Sequence, residues 1–227
     1  MDSLGRSLAE VRRRIEQAAG RSGRSADRVK LIAVSKTVDA ERIRALAGHG
    51  HGCFGENRVQ EALAKIEACG SGLEWHLIGH LQRNKARHAV GVFELIHSVD
   101  NEALAVELDR RAERAGLRQK VLVQVNLSAE PTKSGVAADG LSRLAETVAG
   151  LAQLDLRGLM TIPPPVENAE ESRRWFAALR EARDRVQPDV GSLPELSMGM
   201  TDDFEIAVEE GATLVRVGRA LFGERNF

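Results

Sequence analysis

The sequence predicts a single α/β domain over residues 1–227, folded as a (β/α)8 TIM barrel with an extra N-terminal helix. Eight short aliphatic segments with strand character alternate with segments that have helical periodicity. No long linker or shift in composition divides the chain. An open doubly wound sheet is the competing fold. It would normally carry a glycine-rich dinucleotide turn after its first strand, where this chain has Ser35-Lys36-Thr37.

The extra helix comes first, because Leu4, Leu8, Val11 and Ile15 recur at helical spacing after Ser3, a favourable N-cap. Runs of aliphatic and β-branched residues then predict the barrel strands. The eight predicted strands are 31–36, 53–54, 73–78, 93–97, 121–126, 156–162, 193–197 and 214–217.

Between the strands, apolar residues repeat every three or four positions, which predicts the outer helices. Asp39 and Asn101 are suitable N-caps for two of them. Trp175, Phe176 and Leu179 form a stripe on a long helix that starts near residue 168, and we expect this stripe to pack on the barrel. The helical segments include residues 43–46, 59–66, 82–88, 104–108, 141–148 and 204–208.

The composition excludes several classes of function. Basic and acidic residues balance at a net charge of -1, so we expect no binding to nucleic acid or to an anionic membrane. No apolar segment reaches the length of a membrane span. Cys53 and Cys69 cannot build a disulfide framework, which favours a cytoplasmic protein. A monomer is the expectation, although the sequence does not define the oligomeric state.

Lys36 is the first candidate for chemistry, because it ends a buried strand and there enters a cavity. Partial desolvation would lower the pKa of its amine and supply the neutral nucleophile that forms a Schiff base with an aldehyde. The alternative is a strand-end lysine whose charged head reaches water. Lys133, after strand five, is a second candidate, although a solvated loop lysine is the favoured interpretation.

Two loops predict a phosphate site on the opposite side of the barrel mouth. The loop after strand seven, 197–203, offers the hydroxyls of Ser197 and Thr201 and a helix N-terminus, which favours an anion. The segment after strand eight contains Gly218, which allows close approach of the backbone. Strand alternation can point Arg216 toward the same mouth. Simple helix capping is the alternative for each loop.

Several other polar residues are set aside. His49, His51 and Cys53 alternate as metal ligands can, but the glycines between them indicate a helix stop, so no metal is predicted. His76 and His80 flank the end of strand three, where polar caps on the barrel rim are favoured over proton transfer.

A lysine amine that faces a phosphate pocket has two natural ligands, pyridoxal 5'-phosphate and the phosphorylated sugar of a class I aldolase. Long motifs, in order along nearly the whole chain, resemble the pyridoxal phosphate homeostasis protein family. These motifs are Ala33-Val34-Ser35-Lys36, Phe54-Gly55-Glu56-Asn57-Arg58-Val59-Gln60-Glu61, Trp75-His76-Leu77-Ile78-Gly79-His80-Leu81-Gln82-Arg83-Asn84-Lys85, Ser197-Met198-Gly199-Met200-Thr201-Asp202, Val215-Arg216-Val217-Gly218 and Phe222-Gly223-Glu224-Arg225.

The resemblance implies a barrel like the N-terminal domain of alanine racemase, with pyridoxal 5'-phosphate held as an internal aldimine on Lys36 for intracellular cofactor supply. It further implies the positions of the other contacts. Ser197, Gly218 and Arg219 would line the phosphate with Thr201 nearby, Asn57 would lie beside the ring, and Arg216 would face the pyridine nitrogen.

The sequence departs from the family at three positions. Residue 219 is often a small hydroxyl residue in relatives, so Arg219 is carried over mainly for its backbone N–H. Relatives commonly have tyrosine where this chain has Arg58 and Phe227, so any role of those hydroxyls is lost.

Arg216 also bears on catalysis, because a permanent cation opposite the ring nitrogen disfavours its protonation and weakens the cofactor as an electron sink. The chain contains no tyrosine, a common proton-transfer group. We therefore expect a cofactor-holding protein and no enzyme, with an amino acid racemase as the alternative. Apoenzymes that depend on pyridoxal phosphate are its possible partners.

Overall fold

A computed structural model describes residues 2–128, 130 and 133–223. Eight parallel strands close into a barrel in the order β1-β2-β3-β4-β5-β7-β8-β9, and β9 pairs with β1, which confirms the predicted fold class. The short β6 pairs with β5 outside this ring. The strands are β1 (Lys30–Val34), β2 (Cys53–Glu56), β3 (Glu74–Leu77), β4 (Leu95–Val99), β5 (Gln119–Asn126), β6 (Val136–Ala137), β7 (Leu154–Met160), β8 (Glu195–Ser197) and β9 (Leu214–Val217).

Helices follow the barrel strands as the periodicity predicts. The α-helices are α1 (Ser3–Arg21), α2 (Ala40–Gly48), α3 (Val59–Cys69), α4 (Glu102–Ala115), α5 (Leu141–Gly150), α6 (Arg173–Val190), α7 (Phe204–Glu209) and α8 (Arg219–Phe222). Short 3₁₀ turns span Ala26–Arg28, Arg83–His88, Ala138–Gly140 and Ala169–Ser172. No helix in the described part of the chain is both long and apolar enough to cross a membrane.

Side-chain caps fix several helix starts. Asp39 accepts a hydrogen bond from the backbone N–H of Arg42, and Asn101 caps α4 in the same way, as predicted. The N-cap of α1 is Asp2 and not Ser3, because the Asp2 carboxylate accepts from the backbone N–H of Gly5 at 2.8 Å. The predicted extra helix is confirmed.

The main core lies between the barrel and its helices. Leu8, Val11 and Ile15 of α1 are buried, and α1 packs on α7 and α8. Phe176 and Leu179 of α6 are fully buried as predicted, whereas Trp175 is half-buried beneath the guanidinium of Arg174. The apolar face of each helix therefore covers the outside of the barrel.

Alternate residues of each strand face the barrel interior. One small apolar cluster fills part of this interior: Ile32, Cys53, Leu95, Leu122, Met160 and Leu214. Buried polar residues extend the same rows toward the carboxyl ends of the strands, so Arg216 follows Leu214 and His97 follows Leu95. The barrel interior therefore contains both an apolar cluster and buried polar side chains.

Candidate functional site

A cavity of about 370 Å³ lies at the carboxyl ends of the barrel strands. Such positions collect ligand-binding residues in barrels of this type. Six of the seven predicted site residues line this cavity, namely Lys36, Asn57, Thr201, Arg216, Gly218 and Arg219. Ser197 is placed differently, because it is fully buried and its hydroxyl contacts other side chains.

Lys36 lies two residues beyond the end of β1 and is half-buried. Its position depends on a tight turn, in which the backbone N–H of Val38 donates to the carbonyl of Ser35 at 2.9 Å. Thr37 in this turn has φ +65°, a left-handed conformation that non-glycine residues rarely adopt. Such a conformation persists only where the surrounding structure holds it in place.

A buried ion pair holds the Lys36 turn. The Ser35 hydroxyl donates to Glu56 Oε1 at 2.6 Å, and Lys65 Nζ donates to the same oxygen at 2.8 Å. Lys65 also donates to the backbone carbonyl of Ser35 at 2.7 Å. Glu56 is fully buried. Lys65 could not be predicted from the sequence, because its position on α3 resembles that of a solvated lysine on the outer face of a helix.

Arg216 supplies a buried positive charge at the cavity. Its guanidinium donates to the Ser197 hydroxyl at 2.6 Å and to the backbone carbonyl of Thr161 at 2.9 Å. Burial lowers the pKa of Arg216 to about 10, which leaves it cationic at neutral pH. The negative charge of Asp203 acts against this lowering of the pKa, and Arg216 lines the cavity.

The loop between β8 and α7 forms part of the cavity wall two strands away from β1, since β8 pairs with β9 and β9 pairs with β1. Gly199 has φ +90°, and a Cβ there would lie 2.5 Å from the Cβ of Ala207, so the loop packs directly on α7. Asp203 accepts from the backbone N–H of Met200 at 2.7 Å and closes the turn. Burial raises the pKa of the Asp203 carboxyl.

The start of α8 meets this loop at the cavity. The backbone N–H of Gly218 donates to the Thr201 hydroxyl at 3.4 Å. Arg219 forms an ion pair with Asp202, and both residues line the cavity. The Thr201 hydroxyl and the backbone N–H of Gly218 thus meet at a cavity that Arg219 also lines. A hydroxyl, a backbone N–H and a guanidinium are groups suited to binding a phosphate.

Backbone packing defines the remaining wall. A Cβ on Gly79 would lie 2.3 Å from the backbone oxygen of Asn57, so only glycine allows these two segments to touch. His80, on the rim, lies 3.2 Å from the carboxylate of Asp100, as expected for a polar cap. His76 is buried inside the barrel and not on the rim, because strand alternation turns it inward.

Lys133 and the neighbouring Ser134 also line the cavity. Lys133 pairs with Glu130 at 3.1 Å, and its side chain is 24% exposed. Lys133 is therefore a cavity residue and not the solvated loop lysine that was expected.

Two groups of residues remain: those that depart from the family pattern and those considered as metal ligands in the sequence. Arg58 is exposed and pairs with Glu61 on α3, and Phe227 lies outside the described residues. His49 pairs with Asp2, while His51 contacts the backbone oxygen of Cys53 at 2.7 Å. These interactions do not assemble the set of His49, His51 and Cys53 into one site.

The barrel and its cavity define a class of protein, the alanine racemase N-terminal domain family, whose family model matches residues 7–226. Within that class, the chain belongs to the pyridoxal phosphate homeostasis protein family, which confirms the resemblance seen in the motifs. The protein of that name from Aquifex aeolicus (strain VF5) is 48% identical over 222 residues, which cover 97% of each sequence.

Solved structures agree with this assignment. The structure of PipY from Synechococcus elongatus PCC7942, with PLP bound, is 41% identical, has a TM-score of 0.86 and covers 97% of this chain and 100% of that chain. Alanine racemase from Corynebacterium glutamicum shares the fold, at 19% identity and a TM-score of 0.72. That match covers 97% of this chain but 61% of the racemase.

Proposed function

We propose that this protein holds pyridoxal 5'-phosphate in the cavity, covalently bound to Lys36, and serves the intracellular supply of the cofactor. The observation that carries the proposal is the convergence of a half-buried lysine, a buried arginine and a phosphate-type donor set on one cavity. The names of the relatives and the PLP-bound state of PipY support it.

The residues present fit this cofactor in size and charge. A volume of about 370 Å³ lies within the range of roughly 300–1,000 Å³ for small-molecule sites. Thr201, the N–H of Gly218 and Arg219 would receive the phosphate, and Asn57 would lie beside the ring. When bound, pyridoxal phosphate supplies an aldehyde that condenses with amines and a ring that can accept electrons.

Lys36 and Arg216 have distinct roles in this proposal. Lys36 Nζ forms a carbon–nitrogen bond to the aldehyde carbon, with loss of water. Arg216 would face the ring nitrogen and oppose its protonation, which would weaken electron withdrawal by the ring. Ser197 acts beneath Arg216 and does not line the phosphate. Storage of the cofactor is therefore favoured over turnover, and the protein is not an enzyme in this proposal.

The wider setting belongs to the same proposal. The chain acts as one domain over residues 1–227, as a monomer, and passes the cofactor to apoenzymes that depend on it. The two cysteines are free thiols, which is compatible with a reducing cytoplasm.

Reduction of the loaded protein with borohydride, followed by peptide mass spectrometry, tests the proposal directly. We expect the reduced cofactor on Lys36, and we expect Lys36→Ala to lose the visible absorption band. Lys120→Ala is the matched control, because Lys120 is an exposed lysine at the opposite end of the barrel. A label found exclusively on Lys133, or an unchanged band in Lys36→Ala, would contradict the role of Lys36.

Exchange of an amino acid α-proton separates storage from racemisation. We expect the pure loaded protein to show no exchange above that of free cofactor. Colourless protein that borohydride traps only in the presence of a sugar phosphate would instead indicate an aldolase.

A further inference from the structure

A row of polar side chains runs through the barrel from the cavity to the opposite end. Its outer members are Arg216, at the cavity, and Lys30, at the amino-terminal end of β1. We call this row the interior polar chain, and its six members in order are Arg216, Ser197, His97, His76, Glu74 and Lys30.

Each link of the interior polar chain has the length of a hydrogen bond. Ser197 Oγ lies 2.6 Å from Arg216 Nη1 and 2.8 Å from His97 Nδ1. His76 Nδ1 lies 2.9 Å from His97 Nε2, while its Nε2 lies 2.6 Å from Glu74 Oε1. Lys30 Nζ lies 2.8 Å from the same carboxylate oxygen.

The two ends and the contacts of Ser197 together fix the direction of the hydrogen bonds between them. Arg216 can only donate and the Glu74 carboxylate can only accept. Among the described residues, the Ser197 hydroxyl contacts no acceptor other than His97 Nδ1, so it accepts from Arg216 and donates to His97 Nδ1. His97 then donates from Nε2 to His76 Nδ1, and His76 donates from Nε2 to Glu74. Both imidazoles are therefore neutral, with the proton on Nε2.

Charge and burial support this assignment. Burial holds the pKa of His97 well below its ordinary value, and the nearby Arg216 cation lowers it further, so His97 is neutral. The hydrogen bond from His76, together with Lys30, lowers the pKa of Glu74 to about 2, so Glu74 is an anion at neutral pH. Ser197, His97 and His76 are each at most 2% exposed, which makes an unpaired donor costly.

The amino-terminal end of the barrel, where Glu74 begins β3, holds a donor set that could suit a metal ion. Donor atoms of Cys53, Glu74 and His76 lie within 4.8 Å of one another. Lys30 already supplies a positive charge at Glu74 Oε1, and His76 donates to that oxygen. Hydrogen bonding thus accounts for the cluster.

We propose that His97, His76 and Glu74 are positioning residues that hold the Arg216 guanidinium toward the bound ligand through Ser197. The carbonyl of Thr161 fixes the second nitrogen of Arg216, so two anchors set the plane of the guanidinium. The ligand effect rests on the proposed function. The hydrogen-bond direction is a property of the chain itself and needs no ligand.

Long-range ¹⁵N NMR of ligand-free protein tests the direction of the interior polar chain. We expect both His76 and His97 to be neutral at pH 7, with the proton on Nε2. A proton on Nδ1 of either ring, or a charged His97, would overturn the proposal whether or not the protein binds pyridoxal phosphate.

Variants then test the effect on the ligand by titration with pyridoxal 5'-phosphate. His97→Leu removes both links of the ring and should weaken binding by roughly tenfold and shift the visible band, because Arg216 loses a correctly oriented partner. His97→Gln keeps one acceptor and one donor, and should bind within about threefold of the parent protein.

Glu74→Ala tests whether the far end of the interior polar chain affects ligand binding at the cavity. We expect binding to weaken by about two- to fivefold, since the end that fixes the direction is lost. Glu94→Ala is the matched control, because Glu94 forms an exposed ion pair with Lys120 at the same end of the barrel. Circular dichroism checks whether each variant is folded.

Two outcomes would overturn the ligand effect: parental affinity and spectrum in folded His97→Leu, or equal effects of Glu74→Ala and Glu94→Ala. If the parent protein itself binds no pyridoxal phosphate, the proposed function fails. The NMR result still decides the direction of the hydrogen bonds in the interior polar chain.

Discussion

Replacement of Lys65 by methionine should destabilise the protein strongly, because it leaves a buried carboxylate without its cation. The Glu56 side chain is fully buried and that of Lys65 is 14% exposed. In the described part of the chain, Glu56 Oε2 already accepts no hydrogen bond. Loss of one partner of a buried pair costs about 3–5 kcal/mol, and Lys65→Met should lose a free energy of unfolding of that size.

Urea unfolding followed by circular dichroism measures this loss. Lys120→Met is the matched control, since Lys120 and Glu94 are 46% and 48% exposed, and an exposed pair contributes less than about 1 kcal/mol. Glu56→Gln combined with Lys65→Met removes the charge as well, and should be more stable than Lys65→Met by at least about 1 kcal/mol.

The reasoning extends to the ligand, because Lys65 and Glu56 both hold Ser35 in the Lys36 turn. Lys65→Met should therefore also weaken binding of pyridoxal phosphate under conditions where the variant is folded. A loss of stability below about 1 kcal/mol, equal to that of Lys120→Met, would refute the assignment of a charged, buried Glu56.

Two further predictions concern the cavity wall and the far end of the barrel. Gly199→Ala should lower the free energy of unfolding by about 1–3 kcal/mol, because its Cβ would lie 2.9 Å from the Cα of Phe204 and φ is +90°. The same substitution should make inorganic phosphate a weaker inhibitor of cofactor binding. Parental values in both assays would contradict the close packing. Glu74 has a pKa of about 2, below its ordinary 4.5, so its interactions stabilise the fold above pH 4.5 and this contribution is lost as pH falls toward 2. Between pH 6 and pH 3, the free energy of unfolding measured with urea should therefore fall more for the parent protein than for Glu74→Gln. Equal losses would disprove the stabilising contribution of Glu74.

The elements that sequence could predict are those with a local signal. Aliphatic runs located the barrel strands, and Asp39 and Asn101 located two helix starts, because caps and periodicity act over a few residues. Lys36 and the loops after the last two strands could be assigned to one face, since parallel strands bring their carboxyl ends together.

The interior polar chain had no such signal. His76 and His97 are 21 residues apart and Ser197 is 100 residues beyond His97, so their contacts depend on barrel closure. A hydroxyl in a phosphate-like loop and one directed into the barrel look alike in sequence. The placement of Ser197 therefore required the register of β7 and β8, where Ser197 pairs with Met160.

The pairing of β1 with β9 has a consequence for synthesis on the ribosome. Lys36 emerges roughly 180 residues before Arg216, a delay of roughly 10–40 s at about 5–20 residues per second. The amine of a nascent chain therefore meets free aldehydes without its pocket. Under the proposed function, specific capture of the vitamin B6 coenzyme must await the final strand, and mass action by the coenzyme then stabilises only the finished molecule.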